Sequence, residues 1–376
     1  MIRTLTALAA LSLAAGASAA EAPDFVRDGR AGFVVSHIAY ALGPDAEQAG
    51  TCPRGMTRNY HEIYAATPEG RRRPGESDEA YQERLDAGAR RLASGPGGES
   101  YCLHPELAPP DPWYRTVERS DVPVPGIDLD GRADPDDFPS PEGEPGVDNQ
   151  FYRAVGCNRS YQSSGSSNRF NISMLTGSWG ILFLLEGVDD LREDPEVRVH
   201  FYANGDPIRL SPKREPLAYA SYAPKREPRF HAVANGRIEG GMLRTEPVDM
   251  LFQNEVNSMY LDRPLRDGRL VAEIGSDGRL QGFLAGYTPV EEMYDMQFGY
   301  RDGRTRKGEL APERLRLHTA FGAAFVLGHT CHGAWQALHR LADGHPDPDG
   351  RFTTISTQYR IEAIPAFVIP PEEVAP

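Results

Sequence analysis

Turn dipeptides recur through the middle of this chain: Asn204-Gly205, Asn235-Gly236, Asp267-Gly268, Asp277-Gly278 and Asp302-Gly303. Asn-Gly and Asp-Gly tolerate the positive φ angles that tight hairpins demand, so repetition at this spacing favours short antiparallel strands. The residues between them agree. Ile181–Leu185 is a short apolar run, and Val197, Val199 and Phe201 alternate with Arg198, His200 and Tyr202. The clearest piece is Leu265–Tyr287, two strands joined at Ser276-Asp277-Gly278. Residues 150–300 therefore read as antiparallel β, and the fold class expected is mainly β: an antiparallel sandwich or jelly-roll-like core. Pro-Lys-Arg-Glu-Pro occurs at 212–216 and 224–228, flanking a strand expected over Leu217–Ala223.

The rest of the chain is organised around that core. Arg3, the apolar stretch Leu5–Ala15 and the small residues Ala17-Ser18-Ala19-Ala20 have the layout of a cleavable secretory leader over 1–20. Its apolar run is about 11 residues, against the roughly 20 that cross a bilayer as a helix. The mature chain divides into an irregular α+β region, 21–146, and a β-sandwich-like domain, 147–376. In the first, a strand is expected over 31–42, a short helix near His61–Ala66 and a surface helix over Ser77–Leu92, with Ser77 as cap. Pro105–Gly146 is rich in Pro, Gly and Asp and short of periodic apolar residues, so it reads as a linker or a loop ordered by something else. In the second, one long helix is expected over 311–343, its Gly322, Gly328 and Gly333 pointing to close packing, because each weakens an isolated helix by about 1 kcal/mol. The tail Phe352–Ile369 reads as two β segments.

The four cysteines, Cys52, Cys102, Cys157 and Cys331, suit two disulfides in an oxidising compartment, periplasmic or secreted. Cys52–Cys102 with Cys157–Cys331 is the favoured pairing, since the segment between the first two has little apolar periodicity of its own. A net charge of −14 gives no electrostatic reason to bind nucleic acid or anionic lipid, and no later segment suits a membrane span.

Two clusters could carry chemistry. The first is the acidic loop: Asp128-Leu129-Asp130-Gly131, then Asp134, Asp136, Asp137, Glu142, Glu144, Asp148 and Asn149. Crowded carboxylates repel one another unless solvated or neutralised, and calcium takes six to eight oxygen ligands, loop carbonyls included. The metal ligands expected are Asp128, Asp130, Asp134, Asp136, Asp148 and Asn149, with calcium as the ion. The spacing is not that of an EF-hand, because Gly131 comes fourth and Arg132 fifth. The second cluster is His318, His329, His332, His339 and His345; His329, His332 and His339 fall near one helix face and could present imidazoles to a transition metal. No GxSxG, HExxH, P-loop or dinucleotide fingerprint occurs.

Three functions follow, in order. The first is an exported, non-catalytic β-rich protein, stabilised by calcium, that binds a glycan or protein partner or plays a structural part. The second is an extracytoplasmic hydrolase acting on a polysaccharide or other polymer through acidic residues in a cleft. The third is a metal or redox accessory protein using the 318–345 histidines.

Overall fold

A computed structural model describes residues 26–177 and 179–371. The leader expected over 1–20 lies outside the described residues. The strands are β1 (Val26–Arg27), β2 (Arg30–Tyr40), β3 (Ile181–Glu186), β4 (Asp194–Ala203), β5 (Ala220–Tyr222), β6 (His231–Glu239), β7 (Met242–Thr245), β8 (Val248–Val256), β9 (Met259–Ile274), β10 (Leu280–Pro289), β11 (Gly344–Pro346) and β12 (Phe352–Val368). The helices are α1 (Ala46–Ala49), α2 (Tyr60–Ala65), α3 (Asp78–Leu92), α4 (Gln150–Val155), α5 (Arg169–Thr176), α6 (Val290–Tyr294), α7 (Glu313–Leu327) and α8 (Cys331–Arg340), with a π-helical turn at Asp295–Gly299. Strand outweighs helix, 32% against 24%, so the protein is mainly β.

The twelve strands belong to a single sheet, not to the two facing sheets of the sandwich or jelly roll expected. Antiparallel neighbours run β2-β3-β4-β6-β7-β9-β10-β12, and β12 also pairs with β2, placing Tyr359 opposite Tyr40 and Pro365 opposite Phe33. Each of these eight strands therefore has a partner on both edges over part of its length, although the sheet is not closed into a barrel. β8 continues along the β9 edge that β7 occupies, and β5 joins β12 in parallel at Ala366–Val368.

The turn dipeptides did different jobs from those expected. Gly278, at φ +74°, makes the β9–β10 hairpin as expected. Asn235-Gly236 instead lies inside β6, opposite Arg198 and Val197, with no positive φ. Asp267-Gly268 lies inside β9. Before it the odd residues Met259, Leu261, Arg263 and Leu265 are buried; after it the even residues Leu270, Ala272 and Ile274 are. With Asp267 at φ +47° and the pairing register shifting in both neighbouring strands, this is a bulge that swaps the faces of β9. The expected pair of C-terminal β segments is one strand, β12, and the expected 217–223 strand shrinks to β5.

The helix expected over 311–343 is two helices. Gly328 ends α7 in the left-handed conformation, φ 78°, and the chain restarts at Cys331. Gly333 does pack closely, since a Cβ there would lie 2.8 Å from that of Tyr114. Gly322 does not, since a Cβ there would meet nothing within 4 Å. α4 and α5 fall in a segment read from sequence as β.

The first region shares its core with the sheet: Tyr60, Ala89 and Tyr114 belong to the same buried cluster as Phe33, Trp179 and Tyr359. α2 starts on a capping box, with Asn59 Oδ1 accepting from the Glu62 N–H and Glu62 Oε2 accepting from the Asn59 N–H, each at 3.0 Å. Asn59 Nδ2 also donates to the Phe325 carbonyl of α7 at 3.2 Å. Asn59→Ala is expected to destabilise the fold by about 1–2 kcal/mol in urea unfolding, since it removes a cap and an inter-helix bond together. The Pro105–Gly146 stretch is ordered by a small core of its own, in which Val117, Val122, Val124, Phe138 and Val147 pack on Tyr152 of α4.

The disulfides are Cys52–Cys157 and Cys102–Cys331, which corrects both favoured pairs. The stretch 105–146 returns the chain beside its start, so Thr57 N–H donates to the Cys157 carbonyl at 2.9 Å, and Cys102 meets the first turn of α8 instead of Cys52. Two disulfides suit an oxidising, extracytoplasmic environment. Among the described residues no helix is long and apolar enough to cross a membrane.

Candidate metal centre

The 126–148 loop folds back on itself by local hydrogen bonding. Asp128 Oδ1 accepts from the N–H groups of Asp130 and Gly131, at 3.1 and 2.6 Å. Asp130 Oδ1 accepts from the Arg132 N–H at 2.8 Å, and Asp148 Oδ2 from the Leu129 N–H at 2.6 Å. One oxygen of each carboxylate thus helps to shape the loop. Asp128, Asp130 and Asp148 each contribute one oxygen to a set lying within 4.8 Å of one another. Two oxygens that both bind a calcium ion at 2.3–2.6 Å are at most about 5 Å apart, so the set fits one ion. Among the described residues it is the one group of three or more His, Cys, Asp or Glu side chains close enough to share an ion.

More acid stands behind it. Asp148 is buried, and its desolvation, reinforced by the charges of Asp137, Asp130 and Asp343, pushes its carboxyl up to about 8. Asp137 is raised too, by burial and then by Asp134 and Asp130. Burial pushes Asp343 up to about 7, although Ser356 donates its N–H at 2.7 Å. The Tyr287 hydroxyl is raised by burial and then by Asp148, Asp343 and Asp130. Among the described residues, the cation paired with the three-carboxylate set is Arg132, 4.0 Å from Asp130 and largely exposed. Such a cluster is relieved by protons or by a divalent cation.

The other expected ligands lie elsewhere in the loop. Asp134 is exposed, and its N–H donates to Asp137 Oδ2 at 2.6 Å. Asp136 is exposed, and its carbonyl accepts from Gln150 Nε2 at 2.9 Å. Asn149 caps α4, accepting from the Tyr152 N–H at 3.1 Å and donating to the Ala41 carbonyl at 2.7 Å. Asp343 and Tyr287 were not foreseen. They arrive from beyond α8 and from β10, and the pairing of β10 with β12 brings them near.

The five histidines of 318–345 have separate neighbours. His339 Nε2 lies 2.8 Å from Glu291, and His345 Nε2 lies 3.1 Å from Asp267. His332 Nδ1 lies 3.0 Å from the Tyr60 hydroxyl and its Nε2 3.7 Å from Asp111, while burial lowers its pKa against the pull of that acid. His329 is fully buried against Phe298, with no partner for either ring nitrogen. His318 is exposed on α7. Comparison with family models, curated proteins and solved structures finds no match to this chain.

Proposed function

We propose that this is an exported, non-catalytic β-rich binding or structural protein whose 126–148 loop is fixed by calcium. The observation that carries the reading is the convergence of Asp128, Asp130 and Asp148, whose carboxylates each bring one oxygen within 4.8 Å of the others. An ion there would tie the loop's start to its end, where α4 begins, and so hold the loop against the outer face of β9, β10 and β12. Asp128 borders a cleft of about 940 Å³ in which Arg237, Arg244, Arg269 and Arg360 stand among Glu142, Glu273 and Glu362. A polar cleft of mixed charge suits a glycan or a protein partner more than an apolar one.

Calcium at one hundred times its dissociation constant should stabilise the fold by about 2.7 kcal/mol, read as a rise in melting temperature over chelator-treated protein. Asp128→Asn with Asp130→Asn should remove that rise, because asparagine keeps the turn-forming acceptor and loses the charge. Identical wild-type melting with calcium and with chelator would end the reading.

A further inference from the structure

A pocket of about 500 Å³ shares no residue with the acidic centre or with the cleft beside it. Its lining carries Lys225, Arg229, Arg304, Arg306 and Lys307, and a single carboxylate, Glu227. The chain as a whole has a net charge of −14 and three lysines, two of which stand here. Five cations around one pocket repel one another unless acids of the protein or an outside anion compensate them.

Two segments bring the cations together. Lys225 belongs to the second Pro-Lys-Arg-Glu-Pro copy, and its N–H donates to the Ala203 carbonyl at the end of β4 at 2.9 Å. The 3₁₀ turn Pro228–Phe230 follows at once and carries Arg229. The other three come from a single tight turn. Tyr260 and Arg304 exchange backbone hydrogen bonds at 2.8 and 2.9 Å, which ties that turn to the start of β9. Gly308 closes it at φ +81°, donating its N–H to the Thr305 carbonyl at 2.9 Å.

Acids of the protein neutralise one of the five. Arg229 pairs with Asp262 at 2.5 Å. Among the described residues Lys225, Arg304, Arg306 and Lys307 form no ion pair, and neither does Glu227. Lys225 is half-buried, its ammonium donating to Gln253 Oε1 and lying 5.1 and 5.7 Å from the ring centres of Phe230 and Tyr260. Burial lowers its pKa, with Glu227 pulling the other way. Arg304 Nη1 donates to the Gly308 carbonyl at 3.1 Å, and Arg306 and Lys307 are exposed at the tip of the turn.

We infer that this pocket binds a small polyanion carrying several sulfate or phosphate groups, held by Lys225 from the 224–228 segment and by Arg304, Arg306 and Lys307 from the turn. Guanidinium forks match the paired oxygens of sulfate and phosphate, and each ammonium adds a compact point charge. The volume falls within the range of small-ligand sites. The assignment is separate from the calcium reading, because no carboxylate of the 126–148 loop lines this pocket.

Calorimetric titration of the full chain in calcium-free buffer with sucrose octasulfate, sodium tripolyphosphate and sodium sulfate tests this. At least one of the two polyanions should bind one-to-one, about a hundredfold more tightly than sulfate. Its affinity should fall as sodium chloride is raised. Whichever polyanion binds more tightly identifies the carrier of the charged groups as a sugar or a phosphate chain. Arg306→Gln with Lys307→Gln should weaken binding about tenfold or more while keeping wild-type circular dichroism, and so should Lys225→Gln. Lys213→Gln, at the matching place in the first pentapeptide copy and outside the pocket, should leave binding unchanged. Binding of neither polyanion, sulfate bound as tightly as either, undiminished binding by the folded double variant, or equal losses from Lys213→Gln and Lys225→Gln would each overturn the assignment.

Discussion

Replacing Cys102 and Cys331 together with alanine is expected to lower the unfolding free energy by about 5 kcal/mol. The bridge closes a span of 229 residues, and the entropy denied to the unfolded chain grows with the logarithm of that span. Both cysteines are fully buried, so the alanines leave a small void and no stranded polar group. Urea unfolding of oxidised wild type against the double variant measures the difference. A midpoint unchanged by the double substitution, or peptide mapping that links Cys102 to Cys52, would count against the bridge. Removing Cys52–Cys157, with a separation of 105, should have a slightly smaller effect by the same relation.

The second large effect is one of pH. Burial alone lowers the His329 pKa from 6.5 to about 3. Below pH 6.5 the unfolded chain binds a proton at this position that the folded chain refuses, so the folded state loses ground as pH falls from 6.5 toward 3. At pH 4 the loss from this one group is on the order of 3 kcal/mol. Other carboxyls titrate over the same range, so the informative quantity is a difference. His329→Leu removes the proton site and two unpaired ring nitrogens, and its stability advantage over wild type should widen steadily between pH 7 and pH 4. An advantage that stays constant over that range would show that His329 does not stay neutral when folded.

What the sequence made legible is local. The β9–β10 hairpin was readable because Gly278 must take a positive φ, and Ser77 marked the start of α3 because its side chain accepts the Ala80 N–H at 3.2 Å. Three of the six residues expected to hold an ion do converge, and their spacing over a short loop is what made them visible. What was not legible depends on distant chain segments meeting. Asp343 reaches the acidic centre only through the pairing of β10 with β12, and the cysteine partners were decided by the return of residues 105–146. Nothing in the sequence marks Arg263 as an inward residue; the bulge at Asp267-Gly268 is what sets its half of β9 to turn odd residues inward. The break between α7 and α8 was hidden because glycine at 328 is compatible both with a helix interior and with the left-handed residue that stops one.

The pairing of β2 with β12 sets the order in which this protein can be completed. Residues 33–40 lie against 359–365, so an early strand waits, with one side unmatched, for nearly the last part of the chain. No partial chain, however far advanced, can finish the sheet, and contacts of such long sequence separation form slowly. Residues 33–40 therefore gain their second partner only when 359–365 come to lie beside them.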